Sequence, residues 1–373
     1  MKIIIAPDSY KGSLTAMEAA KAMEEGVKQV DSTIETVLLP VADGGEGTME
    51  SLIESTNGKY VTHSVTDPLE RNIDATYGVL GDGETAVIEI AEASGLTLLS
   101  DEERNPIHTS TFGTGQLIRY ALEAGFRKFI IGLGGSATND GGLGILQALG
   151  MKFLNEEGKS IGSGGGALKN LYRIDDSQFD LRIFESQFIV ACDVDNPFVG
   201  ENGASHIFGP QKGADLEMAN FLDQCLLNFA NIIEHHYGIS LHHVQGAGAA
   251  GGVGGAFKAF FPSEMETGIE VVLEAIQFKE RMAGADFVIT GEGKTDLQTL
   301  SGKAPLGIAK EAKKKGIPVI LISGLVESGV NELESYFDGL YSVMEEGVPK
   351  EESIRNAKKY LIRKTGEVVK SLK

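Results

Sequence analysis

Seven acids and three lysines stand in short, turn-rich segments of this 373-residue chain: Asp8, Asp43, Glu46, Asp140, Asp193, Glu292 and Asp296, with Lys11, Lys212 and Lys303. Carboxylates can hold Mg2+, lysines and loop amides can bind phosphate oxygens, and one further carboxylate can accept a hydroxyl proton. That is the inventory phosphoryl transfer needs. Each residue taken singly is equally a turn or cap residue. Their recurrence points to an enzyme that handles phosphate or another small anion.

Six apolar runs lead into the loops that carry most of these groups. They are Ile3–Ala6, Val37–Pro40, Phe129–Gly132, Phe188–Ala191, Phe287–Thr290 and Val319–Ile322. Short continuous apolar runs bounded by turn residues suit strands buried on both faces of a parallel α/β sheet. In such sheets ligands bind beyond the carboxyl ends of the strands, where these loops fall. Thr15-Ala16-Met17-Glu18 fits a capping box that starts a helix, and a second helix is expected over Met49–Glu54. Segments 60–66, 73–80 and 85–91 then read as an antiparallel meander. A helix over Thr114–Glu123, an irregular glycine-rich stretch at 155–185 and a long helix over 215–236 follow. The α/β pattern returns at Asp286, with strands near 317–322 and 339–344 and a final helix over 351–371. The layout predicts one α/β domain from both chain ends, residues 1–60 and 285–373, with 61–284 inserted as a mixed α/β domain.

Composition narrows the class. The net charge of −20 argues against general nucleic-acid or anionic-membrane binding, while leaving room for a local anion pocket. Cys192 and Cys225 are too few for a disulfide framework, so reduced thiols in a cytoplasmic protein are expected. No apolar stretch approaches the ~20 residues of a membrane helix, and Met1-Lys2 runs straight into a short strand rather than a signal peptide. The 48 glycines follow no fixed period, which suits tight loops.

Several familiar motifs fail on context. Gly246-Ala247-Gly248-Ala249-Ala250-Gly251 spells a dinucleotide fingerprint but follows no convincing strand, so a hinge or close helix contact is expected. Gly293-Lys294-Thr295 and Gly158-Lys159-Ser160 lack the first glycine of a Walker A loop, with Val288 and Phe153 in its place. Pro197 breaks a calcium-loop reading of Asp193-Val194-Asp195-Asn196-Pro197. The pairs His235-His236 and His242-His243 lack zinc partners.

Longer blocks carry more information. Ala6-Pro7-Asp8-Ser9-Tyr10-Lys11-Gly12-Ser13, Pro40-Val41-Ala42-Asp43-Gly44-Gly45-Glu46-Gly47-Thr48 and Gly134-Gly135-Ser136-Ala137-Thr138-Asn139-Asp140-Gly141-Gly142 are three of them. Further on stand Asp193–Pro197, Phe208-Gly209-Pro210-Gln211-Lys212-Gly213-Ala214, Gly246–Gly252, Thr290-Gly291-Glu292-Gly293-Lys294-Thr295-Asp296, and Gly302-Lys303. In order and coverage these blocks resemble the glycerate kinase type-1 family of bacteria, with Tyr10 where Phe is the commoner letter. The resemblance implies ATP- and Mg2+-dependent phosphorylation of D-glycerate to 2-phosphoglycerate. It also implies a flavodoxin-like domain, an inserted domain and an active site in the interdomain cleft.

On these blocks Asp193, Asp296 and Lys11 are the expected catalytic residues, with Asp193 the first choice of general base and Asp296 the second. Asp43 and Glu292 are the expected metal-side acids. Substrate or phosphate binding is expected of Asp8, Ser9, Gly44, Ser136, Thr138, Asn139, Asp140, Asn196, Lys212 and Lys303. The alternatives are a kinase of another small hydroxy acid and a non-catalytic glycerate or nucleotide sensor. The expected partner is a small-molecule substrate, with no nucleic acid or membrane; the oligomeric state is not legible.

Overall fold

Thr15 opens the first helix as its spacing predicts. Its hydroxyl accepts the Glu18 amide at 3.2 Å and the Glu18 carboxylate accepts the Thr15 amide at 3.0 Å. Two otherwise orphaned donors are thereby satisfied, and Ala16–Val30 follows. The computed structural model describes residues 1–45, 47–301, 303–344 and 349–372, so Glu46 and Gly302 lie outside the described residues. The chain divides into two compact units, one of residues 1–43, 50–57 and 267–373, the other of 44–49 and 58–266.

The first unit holds five parallel strands in the spatial order Gly339–Ser342, Val319–Ser323, Phe287–Thr290, Lys2–Ile5, Glu35–Leu38. Numbered along the chain this is 2-1-3-4-5, the flavodoxin-like order. Ile3, Ile4 and Ile5 are wholly buried, which is why three consecutive apolar residues are needed there rather than an alternating pattern. Met23 and Val27 of the first helix pack with Ile289, Ile320 and Ile322 and with Leu361, Val368 and Val369 of Ala357–Ser371.

The second unit is built on a six-stranded mixed sheet. Its order is Ser263–Glu266, Gln187–Ala191, Lys128–Gly132, Thr85–Glu89, Asn72–Val79, Lys59–Thr66. The last three pair antiparallel as the expected meander, and the first four run parallel. Phe129 and Phe188 stack at 4.6 Å on neighbouring strands, in a core shared with Phe229 and Phe257. The long helix is Leu216–Tyr237, started by the Asp215 carboxylate on the Met218 amide at 2.8 Å.

Three features depart from the sequence expectation. Ser263–Glu266 is an edge strand whose half-buried Ser-Glu-Met-Glu letters carry no apolar run. Gly268–Ala275 and Phe278–Arg281 are helices in a stretch that had no assigned element. The final helix is divided at Asn356 into Lys350–Arg355 and Ala357–Ser371.

Candidate active site

In the first unit the sheet order reverses between Lys2–Ile5 and Phe287–Thr290, so their carboxyl-end loops diverge and leave a hollow. The loops are locked together before any side chain enters the hollow. The Ala6 amide donates to Ile289 O at 2.8 Å, the Asp8 amide to Gly291 O at 2.8 Å, and the Thr290 hydroxyl to Ala6 O at 2.7 Å. Tyr10 is buried and its hydroxyl donates to Ile322 O. A Cβ on Gly291 would stand 2.1 Å from Ile322 O and 2.4 Å from the Tyr10 hydroxyl, so only glycine passes there. The resulting cavity of about 250 Å³ is lined by Asp8, Ser9, Lys11, Asp43, Glu292 and Lys303, among others. Six residues singled out in the sequence thus meet in one place.

The charges in this cavity are strongly coupled. Asp8 is 8% exposed, and its carboxyl is pushed up to about 7. Burial is the chief cause, Asp43 and then Glu292 add to it, and the Ser9 amide (2.6 Å) and Lys11 oppose it. Glu292 is also held above the usual carboxylate range by burial, although its contacts pull the other way. One oxygen accepts the hydroxyls of Thr299 at 2.7 Å and Thr295 at 2.9 Å, and the other takes the Lys303 ammonium at 3.3 Å. Because Thr295 donates to Glu292, Ser323 must donate the 2.6 Å bond it shares with Thr295. Asp296 bridges Lys294 at 3.3 Å and Lys303 at 3.7 Å. Lys11 is exposed at the rim. The capping box consumes the Thr15 and Glu18 amides near it, leaving fewer helix-start donors for an anion.

The second unit gathers another polar set at the carboxyl ends of its parallel strands. Lys212 is 1% exposed, and its ammonium donates to the Ser136 hydroxyl at 2.9 Å and to Thr138 O at 2.7 Å. Burial brings it down to about 7, with Asp140 opposing the shift. Asp140 is wholly buried and accepts four bonds of 2.8–3.1 Å, from the Thr111 amide and hydroxyl and the Gly142 and Gly144 amides. Its carboxyl is nevertheless held above the ordinary range by burial. The Asn139 side-chain amide donates to the Ser205 hydroxyl at 2.9 Å. Thr138 Oγ1 and Asn139 Oδ1 are buried with no hydrogen-bond partner among the described residues.

The segment that mimics a dinucleotide fingerprint packs against this loop. Ala250, Gly251 and Gly252 all have positive φ, and a Cβ on Gly251 would stand 2.0 Å from Thr138 O. The glycines therefore serve close backbone approach rather than a bound pyrophosphate. Asn196 ties into the same segment by accepting the Gly248 amide at 3.0 Å. Asp193 is exposed just beyond Gln187–Ala191. Gly44 has φ +89°, a left-handed conformation that favours glycine.

Sequence reasoning missed the residues that fix these groups. Thr111, Thr295, Thr299, Ser205 and Ser323 orient the acids and the asparagine, and Glu89 accepts the Met49 amide at 2.8 Å. Only the Glu292-x-x-Thr295-x-x-x-Thr299 spacing was a usable local signal. Among the described residues no three His, Cys, Asp or Glu side chains converge as a metal cage. Magnesium bound to a nucleotide needs only one or two carboxylates, with phosphate oxygens and water completing its shell. Asp8 and Asp43 fit that requirement, because they are hard oxygen donors on one cavity and their mutual repulsion helps hold a proton on Asp8. Glu292 already has both oxygens engaged within the chain.

Comparison with known proteins agrees with this chemistry. The family model described as the glycerate kinase family matches residues 3–373. A Bacillus subtilis (strain 168) glycerate kinase is 48% identical over 374 residues, covering 100% of this chain and 98% of the relative. An Escherichia coli (strain K12) glycerate 2-kinase is 46% identical over 373 residues, with the same coverages. A crystal structure of a candidate glycerate kinase 2 from Salmonella typhimurium LT2 superposes with a TM-score of 0.92 at 44% identity, covering 100% of this chain and 98% of that one. On its whole length, its fold and its strand-end acids, the chain belongs to the glycerate kinase family.

Proposed function

We propose that this protein transfers the γ-phosphoryl group of ATP to the 2-hydroxyl of D-glycerate, giving 2-phosphoglycerate and ADP in the cytoplasm. The family supports the reaction class, and no described helix is long and apolar enough to cross a membrane. The carrying observation is the meeting of Asp8, Asp43, Lys11 and Lys303 around one cavity at the switch point of the first unit.

Lys11 and Lys303 offer positive charge to phosphate oxygens. Glu292 holds the Lys303 ammonium at 3.3 Å and Asp296 stands 3.7 Å from it, which orients the lysine toward the cavity it lines. Asp8 and Asp43 would hold Mg2+, which when bound neutralises charge on the triphosphate. The glycerate hydroxyl is a poor nucleophile and needs a carboxylate to take its proton as the new bond to phosphorus forms. Asp193, at the carboxyl end of the Gln187–Ala191 strand, is the first choice for this, and Asp296, beside Lys294 at 3.3 Å and Lys303 at 3.7 Å, is the second. In the transfer the oxygen–phosphorus bond to glycerate forms, the bond to ADP breaks, and the hydroxyl proton passes to the carboxylate.

Steady-state rates with D-glycerate, L-glycerate, tartronate and glyceraldehyde test the reading. D-glycerate should give the highest kcat/KM. A higher value for another acceptor would replace the substrate, and ATP binding without turnover of any of them would favour a sensor.

A further inference from the structure

The cavity at the switch point has two chemically different walls. Asp8, Asp43, Glu292 and the lysines form one, and Leu325, Val343, Met344, Ile354 and Ala357 form the other. The apolar wall is held by backbone bonds that continue the sheet. The Leu325 amide donates to Gly293 O at 3.2 Å, Val343 to Ser323 O at 2.8 Å, and Met344 to Gly324 O at 2.9 Å. Ile354, on Lys350–Arg355, is 40% exposed, and Leu325 and Met344 are half-buried. A large aliphatic side chain held open to solvent beside an acidic hollow sheds its hydration cost when an apolar group covers it.

The two substrates of the proposed reaction differ in what they could place there. D-glycerate is a three-carbon acid with oxygen on every carbon, so it has no apolar face to offer. A nucleotide carries an aromatic base at one end and phosphates at the other, matching a wall of aliphatic side chains that ends in Lys11 and Lys303. We propose that Leu325, Val343, Met344, Ile354 and Ala357 seat the purine base of the nucleotide, with its phosphates directed toward Lys11 and Lys303. This rests on the reading of the protein as an ATP-dependent kinase and assigns the nucleotide to the first unit.

The test compares a nucleotide with a ligand that has phosphates but no base. Full-length wild type, Ile354→Glu and Ala357→Trp are titrated calorimetrically with Mg2+ and the β,γ-imido analogue of ATP, and separately with inorganic tripolyphosphate. Thermal melting checks that each variant is folded; Ile354 contributes little to the core. Each variant should weaken the analogue at least tenfold while tripolyphosphate affinity and the KM for D-glycerate stay within twofold. Unchanged analogue affinity in both variants would overturn the assignment, as would a parallel loss of tripolyphosphate or no analogue binding by wild type. Analogue binding that is lost selectively in an enzyme that never phosphorylates D-glycerate would uphold the base seat and refute the kinase reading alone.

Discussion

Replacing Asp8 by Asn should stabilise the protein above neutral pH while removing activity. The folded-state carboxyl is pushed up to about 7, against an ordinary value of 3.8. Between those values the native state keeps a proton that the unfolded chain has lost, so stability falls as pH rises through the window. Above about pH 7 the full penalty applies. Three pH units correspond to roughly 4 kcal/mol, a ceiling from which relaxation and water entry subtract. If half survives, Asn should raise Tm by about 4–8 °C at pH 8.5 in a domain of this size. Both states become protonated only below pH 3.8, so the gain should shrink to a small remainder by pH 4.5 and vanish at lower pH. Melting curves of wild type and variant in EDTA at pH 4.5, 6.5 and 8.5 supply the measurement. Adding MgCl2 at pH 8.5 should then recover wild-type stability but leave the variant unmoved. A variant no more stable at pH 8.5, or equally stabilised at every pH, would refute the electrostatic account of the cavity.

Asp140→Ala should be strongly destabilising, because it strands three buried amides and a hydroxyl at about 1–3 kcal/mol each; a denaturant midpoint near wild type would contradict its structural role. Lys212→Met should lose more stability relative to wild type as pH rises from about 7 toward 10. There the native lysine has shed its proton and the unfolded one has not, so the native form escapes the cost of a buried charge. Denaturation at pH 6 and pH 9 reads this, and an opposite trend would dismiss it. Asp193→Asn should keep the wild-type Tm and ATP affinity while turnover falls by about a hundredfold or more. Near wild-type turnover for it, with a collapse in Asp296→Asn, would move the base to Asp296.

Local chemistry was the legible part of this chain. Thr15 and Glu18 announce their helix because both partners lie within one turn, and the buried strands announce themselves by unbroken aliphatic runs. Strand order was not readable from periodicity, since the pairing of Lys2–Ile5 with Phe287–Thr290 joins residues 284 positions apart. Lys212 illustrates the same limit at the site. In sequence it is a lysine in a Gly-Pro-Gln-Lys-Gly turn, yet it is buried because Ser136 and Thr138, over seventy residues away, supply its acceptors. Asp140 and Asp8 look alike as loop acids. Four internal donors saturate the first, whereas the second has repelling carboxylates for neighbours, and only the fold decides which is which. Ser263–Glu266 escaped notice because an edge strand with polar letters has no apolar signature.

The central claim is the reaction, and the position of the new phosphate tests it most directly. D-glycerate, ATP and MgCl2 incubated with the purified protein should give a single phosphorylated product. Phosphorus-decoupled and coupled NMR spectra should place that phosphate on carbon 2, with ADP formed in equal amount. A phosphate on carbon 3, or ATP consumed with no phosphorylated glycerate, would contradict the account.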